Sequence, residues 1–216
     1  MEEIKRLGRE HLATNGAAAL SVRAIARELG MVSSGIYRYV RSRDELLTLL
    51  ITDAYNSLGA AAEAAEAAVD RSDLRGRFLA SGRAVRRWAV SHTSEYALVF
   101  GSPVPGYAAP QDTIGPALRV PALLAGILVD AAVGGRISTT SVRAVAGSPA
   151  ALREMRSMVP DVVPDDVLVR GAMAWVHVFG AISFELFGHL GPSPTEPEML
   201  FDVQLDLLAD LVGLVA

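Results

Sequence analysis

At 216 residues the chain has room for one large domain, or for a small domain joined to a larger one. It contains no cysteine, which excludes disulfides, thiolate metal sites and cysteine nucleophiles. The net charge of −4 argues against a general nucleic-acid coat, but the charge is unevenly spread: residues 1–47 carry eight Lys/Arg against six Asp/Glu, and the remainder twelve against eighteen. A mildly basic head on an acidic body suits a protein that touches DNA at one end. The hydrophobic fraction is 51%, dominated by Ala and Leu, with few alternating Val/Ile/Thr/Tyr runs, so the expected fold is all-α. The N-terminus, MEEIKRLGREH, is charged and has no apolar centre, unlike a signal peptide. The apolar stretch Val120 to Val133 is short and interrupted by Pro121 and Asp130, so no membrane span and a cytoplasmic location are expected.

The spacing predicts a first helix from Met1 to Asn15, with Ile4, Leu7, His11 and Leu12 inward. His11 reads as a packed or half-exposed side chain rather than a ligand. Lys5, Arg6 and Arg9 suit either nearby phosphates or a solvated charged face. Ser21 is a good N-cap for a second helix, with Leu20 and Ile25 at the positions of a hydrophobic staple. Val22, Ile25, Ala26 and Leu29 share one apolar face, and Gly30 stops the helix. After the turn at Met31-Val32, Ser33 or Ser34 can cap a very short helix through Tyr39, anchored inward by Ile36. Ser42-Arg43-Asp44-Glu45 has the S-x-x-E form of a capping box and opens another helix. Two short helices joined by a tight glycine turn are what a DNA-binding helix-turn-helix requires.

Ile25-Ala26, Gly30, the run Ser34-Gly35-Ile36-Tyr37-Arg38-Tyr39-Val40, and Arg43-Asp44-Glu45-Leu46-Leu47 resemble the N-terminal domain of the tetracycline-repressor (TetR) family of transcriptional regulators. Val40 stands where Phe is commoner in that family, and Arg43 where Lys is commoner. The candidate DNA-binding residues are Ser21, Ser33, Ser34, Gly35, Tyr37, Arg38, Tyr39 and Arg43. Hydroxyls and guanidinium groups suit phosphate oxygens and base edges, and Gly35 permits close backbone approach. Tyr39, Arg43 and Ser21 are expected on phosphates; Ser33, Ser34, Gly35 and Arg38 are expected at base edges.

The helix opened by Ser42 is expected to run to about Ala68 and to break at Asp70 to Asp73. The next spans Asp73 to about His92, with Leu74, Phe78, Val85, Trp88 and Ala89 inward and Arg83, Arg86 and Arg87 most simply solvated. A short helix then ends near Phe100. Residues Gly101 to Pro110 hold three prolines and two glycines, a stiff loop that suits a pocket wall, a lid or a plain connector. Asp112-Thr113 opens a helix that runs, with interruptions at Pro116 and Pro121, to about Val133, and Gly134-Gly135 ends it. Ser148-Pro149 reads as another helix start, and Pro160 to Pro164 as a break.

Asp165 to His189 is apolar on nearly every side. Met173, His177, Gly180 and Phe184 form one stripe, and Trp175, Phe179, Ile182 and Leu186 the opposite one, with Glu185 as the exception. Such a helix is expected to pack on its own subunit and on a partner. Gly191 to Pro194 reads as a turn, with Thr195 or Glu196 capping a last helix. In that helix Leu200, Val203, Leu207, Leu211 and Leu214 form a stripe that Phe201, Leu205, Leu208 and Val212 broaden. Trp175-x-His177-x-x-Gly180, with the upstream FGSPVPGY, resembles the Trp-His-Gly (WHG) class of TetR-family C-terminal domains. That resemblance implies a ligand-binding and dimerisation domain.

The expected organisation is therefore a three-helix helix-turn-helix domain over residues 1–47 and a helical ligand-binding and dimerisation domain over 48–216. The expected function is a homodimeric repressor, joined through its last two helices and released from double-stranded operator DNA by a small, mostly apolar effector. The alternative is a DNA-binding dimer or activator without such a ligand. An imidazole within an apolar helix needs a partner, whether a side chain, a carbonyl, water or a ligand. From His177, the expected ligand-lining residues are Trp88, His92, Phe100, Tyr107, Met173, His177 and Phe184, with Trp175 in packing or the dimer contact. No H-E-x-x-H, G-x-S-x-G, P-loop or dinucleotide fingerprint occurs, so no enzyme, metal or cofactor is expected.

Overall fold

The computed structural model describes residues 1–138, 149–191 and 196–214. Ser148 as a helix start, the turn over residues 192–194 and Thr195 as a cap fall outside these. Among the described residues there are eleven α-helices and no strand. They are α1 (Glu2–Asn15), α2 (Val22–Glu28), α3 (Ser33–Ile36), α4 (Arg43–Ala67), α5 (Leu74–Ser91), α6 (Thr93–Phe100), α7 (Ile114–Ala117), α8 (Arg119–Val133), α9 (Pro149–Met158), α10 (Asp165–Leu186) and α11 (Pro197–Leu211). Short 3-10 turns lie at Ala17–Ala19 and Gln111–Thr113. The helix expected from Asp112 to Val133 is broken at Leu118, not at Pro121. Pro121 sits in the first turn of α8, where no intrahelical partner for its missing N–H is needed.

The chain forms two compact units. One comprises Met1–Gly59 with Trp88–Arg119, the other Ala60–Arg87 with Val120–Ala216. In the first, α1 to α4 bury one another around Ile25, Ile36, Val40, Leu46 and Leu47, all without measurable exposure. Leu20, Ile4 and Leu12 complete this core, and Leu98, Val104 and Tyr107 pack against it from later in the chain. Within residues 101–110, expected as a pocket wall, a lid or a plain connector, Val104 and Tyr107 lie on the core of the helix-turn-helix.

In the second unit the largest buried polar group is a charge cluster. Arg77 is 2% exposed. Its Nε donates to Glu66 Oε1 at 2.6 Å and its Nη1 to Asp130 Oδ2 at 2.8 Å. Arg71 reaches the same two carboxylates, at 3.1 and 2.8 Å. This cluster ties the end of α4 to α5 and α8. Of the three α5 arginines expected to be solvated, Arg87 is exposed, but Arg83 and Arg86 are engaged. Arg86 is buried and grips Glu185 with two bonds, at 2.9 and 2.7 Å, and Arg83 pairs with Asp202 at 2.9 Å. The carboxylate that looked out of place on α10 is thus neutralised from α5, and that pairing keeps the Arg86 guanidinium more firmly protonated than usual.

By length and composition α10 could cross a membrane. Instead its Ala174, Val178, Phe179 and Ile182 are buried in the unit, where α10 packs with α9 and α11. Gly82 of α5 lies where a Cβ would stand 2.6 Å from the end of the Leu205 side chain of α11, so a larger residue there would require that side chain to move. Removing Arg77 leaves Glu66 and Asp130 with only the largely exposed Arg71 as a cationic partner. Arg77→Met is therefore expected to lower stability by about 3 kcal/mol or more. Urea unfolding monitored by circular dichroism measures this, and a loss below about 1 kcal/mol would mean that Arg71 and water satisfy the carboxylates without it.

Candidate nucleic-acid interface

The helix-turn-helix is assembled by local rules that can be followed bond by bond. The Ser21 hydroxyl accepts from Ala24 N at 3.3 Å and so caps α2, as expected. At the other end Gly30 has φ +65°, Gly30 N donates to Arg27 O at 3.0 Å, and Met31 N donates to Ala26 O at 2.9 Å. This is the paired closure of a Schellman motif, and the left-handed residue it needs is the glycine. The chain turns and starts α3 at Ser33. Val32 stands at the N-cap position without a side-chain bond, so neither Ser33 nor Ser34 caps this helix. The helix is also shorter than expected: Ser33–Ile36, followed by tight turns in which Tyr39 N and Val40 N both donate to Ile36 O.

The capping box is half formed. Glu45 N donates to Ser42 Oγ at 3.0 Å, but the Glu45 carboxylate does not return to Ser42 N. It accepts instead from the backbone N–H and guanidinium of Arg41. These bonds hold the Glu45 carboxyl below its ordinary range.

Packing turns Ile36 and Val40 inward and leaves Ser33, Ser34, Tyr37, Arg38 and Tyr39 exposed, with Gly35 half-buried between them. Five of the eight basic residues in 1–47 pair with carboxylates: Lys5 and Arg9 with Asp53, Arg6 with Glu3 and Glu10, Arg41 with Glu45, and Arg43 with Asp44. Arg6 stays exposed with its neighbours Glu3 and Glu10, as a solvated charged face has it, while Lys5 and Arg9 are half-buried against Asp53. The remaining three, Arg23, Arg27 and Arg38, are exposed and have no acidic partner among the described residues. The unneutralised positive charge of the head therefore lies on α2 and just after α3. Sequence reading missed Arg23 and Arg27. Their signal was present, because both fall on the side of α2 opposite Val22, Ile25 and Ala26.

Arg43 departs from expectation. Its Nη2 donates to Ala17 O at 2.9 Å and Ala18 O at 3.3 Å, and its side chain is about two-thirds buried. The guanidinium braces the turn before α2 and is not a free phosphate donor. His11 is half-buried and its Nε2 lies 2.8 Å from Glu28 Oε1, a packed side chain as expected.

Comparison with known proteins agrees with this geometry. Residues 6–50 match a model of bacterial regulatory proteins of the tetR family, and residues 78–208 match a tetracyclin repressor-like C-terminal domain. The chain belongs to the TetR family. The HTH-type transcriptional regulators Rv1816 of Mycobacterium tuberculosis and Mb1846 of Mycobacterium bovis are each 44% identical over 98% of this chain and 91% of their own length. The crystal structure of SCO4313, a protein assigned as regulatory, superposes with a TM-score of 0.77 at 34% identity, covering 97% of this chain and 94% of that one. The TetR-family regulator PfmR from Thermus thermophilus shares the fold, with a TM-score of 0.64 at 19% identity over 99% of both chains. This TetR-family chain is accordingly a helix-turn-helix transcriptional regulator.

The residues expected to line a ligand site divide between the two units. Trp88, His92, Phe100 and Tyr107 belong to the first. Trp88 is buried, bonds Ser57 Oγ through Nε1 at 2.9 Å and stacks on His92. Phe100 contacts Tyr55 and Tyr96 edge-on and tilted, respectively. Tyr107 turns to the helix-turn-helix, its hydroxyl 2.9 Å from Thr48 Oγ1. Met173, His177 and Phe184 belong to the second unit and all are exposed, so the expected burial of His177 is not met. The α10 stripes were paired correctly, but the Trp175 side is the one that packs, with Trp175 and Phe179 ring centres 4.2 Å apart. His177 and Phe184 line a groove of about 330 Å³ between α10 and α11, with Val176, Gly180, Phe201 and Gln204; Met173 does not border it.

Arg43→Ala is expected to lower the stability of the helix-turn-helix by about 1–3 kcal/mol, because two carbonyls lose their donor. Arg38→Ala, which removes an exposed side chain with no hydrogen bond or ion pair among the described residues, should change stability by less than about 0.5 kcal/mol. Thermal unfolding of both variants provides the comparison, and equal losses would contradict the division of roles.

Proposed function

We propose that this TetR-family regulator is a homodimeric repressor that a small, mostly apolar effector releases from its operator. Residues 1–47 read the DNA and residues 48–216 serve dimerisation and effector binding. The observation that carries the DNA reading is the pairing pattern of the head. Every basic residue away from α2 and α3 is held by an acid, while Arg23, Arg27 and Arg38 stand free beside Ser33, Ser34, Tyr37 and Tyr39. Arg38, Ser33, Ser34 and Gly35 face base edges; Tyr39 and the Ser21 hydroxyl, which keeps its proton while capping α2, hold phosphates. Arg43 supports this surface from behind.

Dimerisation is supported by the unpartnered apolar side of α10 and α11. Val176 is 68% exposed and Leu207 63%, with Met173, Phe184, Leu200 and Val203 also exposed. The broadening residues Phe201, Leu205, Leu208 and Val212 are buried in the unit itself, so α11 has one side for the core and one left over. A contiguous apolar surface of this kind suits a self-complementary contact about a two-fold axis. The groove beside His177 opens on the same surface. Its volume is at the small end of ligand sites. A partner's α10 and α11 would close it over an apolar molecule, with His177 and Gln204 as polar contacts. Effector binding at one site then shifts the spacing of the two heads away from successive major grooves.

Arg38→Ala is expected to cost about 1–3 kcal/mol of operator binding and to relax sequence preference, as loss of a base contact does. Tyr39→Phe should weaken all duplexes alike. Fluorescence anisotropy on a duplex selected by the wild-type protein from a random pool, and on scrambled DNA, distinguishes the two. Unchanged affinity for Arg38→Ala would reject the base-edge assignment. Leu207→Asp is expected to give a folded monomer, because Leu207 contributes little to the unit's own core. Light scattering that shows wild type as a monomer at micromolar concentration would sink the dimer and, with it, the closed groove.

A further inference from the structure

The geometry points to Tyr107 as a positioning residue for DNA binding, acting through Thr48 on the first turn of α4. This rests on the DNA-reading role of the helix-turn-helix. The segment Val104-Pro105-Gly106-Tyr107 is a tight turn. Tyr107 N donates to Val104 O at 3.1 Å, and Gly106 has φ +78°. Proline followed by a glycine of positive φ is the sequence of a type II turn. The turn places both its ends, Val104 and Tyr107, against the buried core of α1 to α4.

The hydrogen bonds run in one direction. Thr48 Oγ1 donates its proton to Asp44 O at 2.9 Å. Its oxygen therefore accepts from the Tyr107 hydroxyl, also at 2.9 Å. Asp44 lies in the first turn of α4, next to Arg43, which braces Ala17 and Ala18 before α2, and to Ser42, which caps α4. A residue nearly sixty positions beyond the helix-turn-helix thus holds the end of α4 that fixes both its flanks. Tyr107 touches no DNA in this account; it limits the freedom of the groups that do.

The test uses the full chain and the duplex selected by wild type. Tyr107→Phe removes one oxygen; Gly106→Ala leaves Tyr107 and Thr48 intact but strains the turn. Both are expected to weaken binding by about three- to tenfold, the size of one net hydrogen bond, well below the melting temperature of either variant. The salt dependence should match wild type, because no phosphate contact is lost. Backbone amides at the start of α4 should exchange faster with deuterium in free Tyr107→Phe than in free wild type. Wild-type affinity in both variants, even with a lowered melting temperature, would overturn the inference and leave only a structural bond. A flattened salt slope in Tyr107→Phe would also overturn it, since Tyr107 would then be touching DNA itself. Failure of the wild type to select any duplex would strike the DNA reading instead.

Discussion

A helix of four residues cannot hold itself. Forming one helical turn fixes several backbone torsions for a single hydrogen bond, so α3 on its own would be unfolded. What holds it is burial of Ile36 and Val40, both without measurable exposure, in the core that α1, α2 and α4 build. The whole reading surface depends on that anchorage. Because the anchors face inward, the residues between and beside them must face out. The Schellman closure at Gly30 fixes where α3 begins, and the Ser42 cap on α4 fixes where the following turns end.

In the proposed account, charge then selects which part of the outer surface meets a polyanion. The head is only mildly basic in total, and most of that charge is cancelled locally. What remains lies on α2 and just after α3. The acidic residues of α1 serve the same selection, since Glu3 and Glu10 neutralise Arg6 and leave α1 without an unpaired cation among the described residues. A duplex approaching α1 would find carboxylates; one approaching α3 would find hydroxyls and free guanidinium groups.

Much of this was legible in the sequence, and the failures have physical causes. The α2 cap, the glycine stop and the inward Ile36 follow from local rules that tertiary structure does not override. The bracing role of Arg43 was not legible because an arginine beside a recognition helix looks the same in sequence whatever carbonyl it reaches; only the fold brings Ala17 to it. Tyr107 was misplaced for the same reason, since nothing local says that a proline-rich loop will lie on α4. For α10, periodicity separated two apolar stripes but could not say which one packs at home. His177 looked buried because its neighbours are apolar, yet those neighbours belong to the stripe left exposed.

The central claim is that DNA meets the surface carried by α2 and by residues 33–39, and not the outer face of α1. Hydrogen–deuterium exchange of the full chain, with and without the selected duplex, tests it most directly. The account predicts slowed exchange from Ser33 to Val40 and at the start of α2, with the amides of α1 unchanged. Protection on α1, with residues 33–39 exchanging as in the free protein, would contradict it.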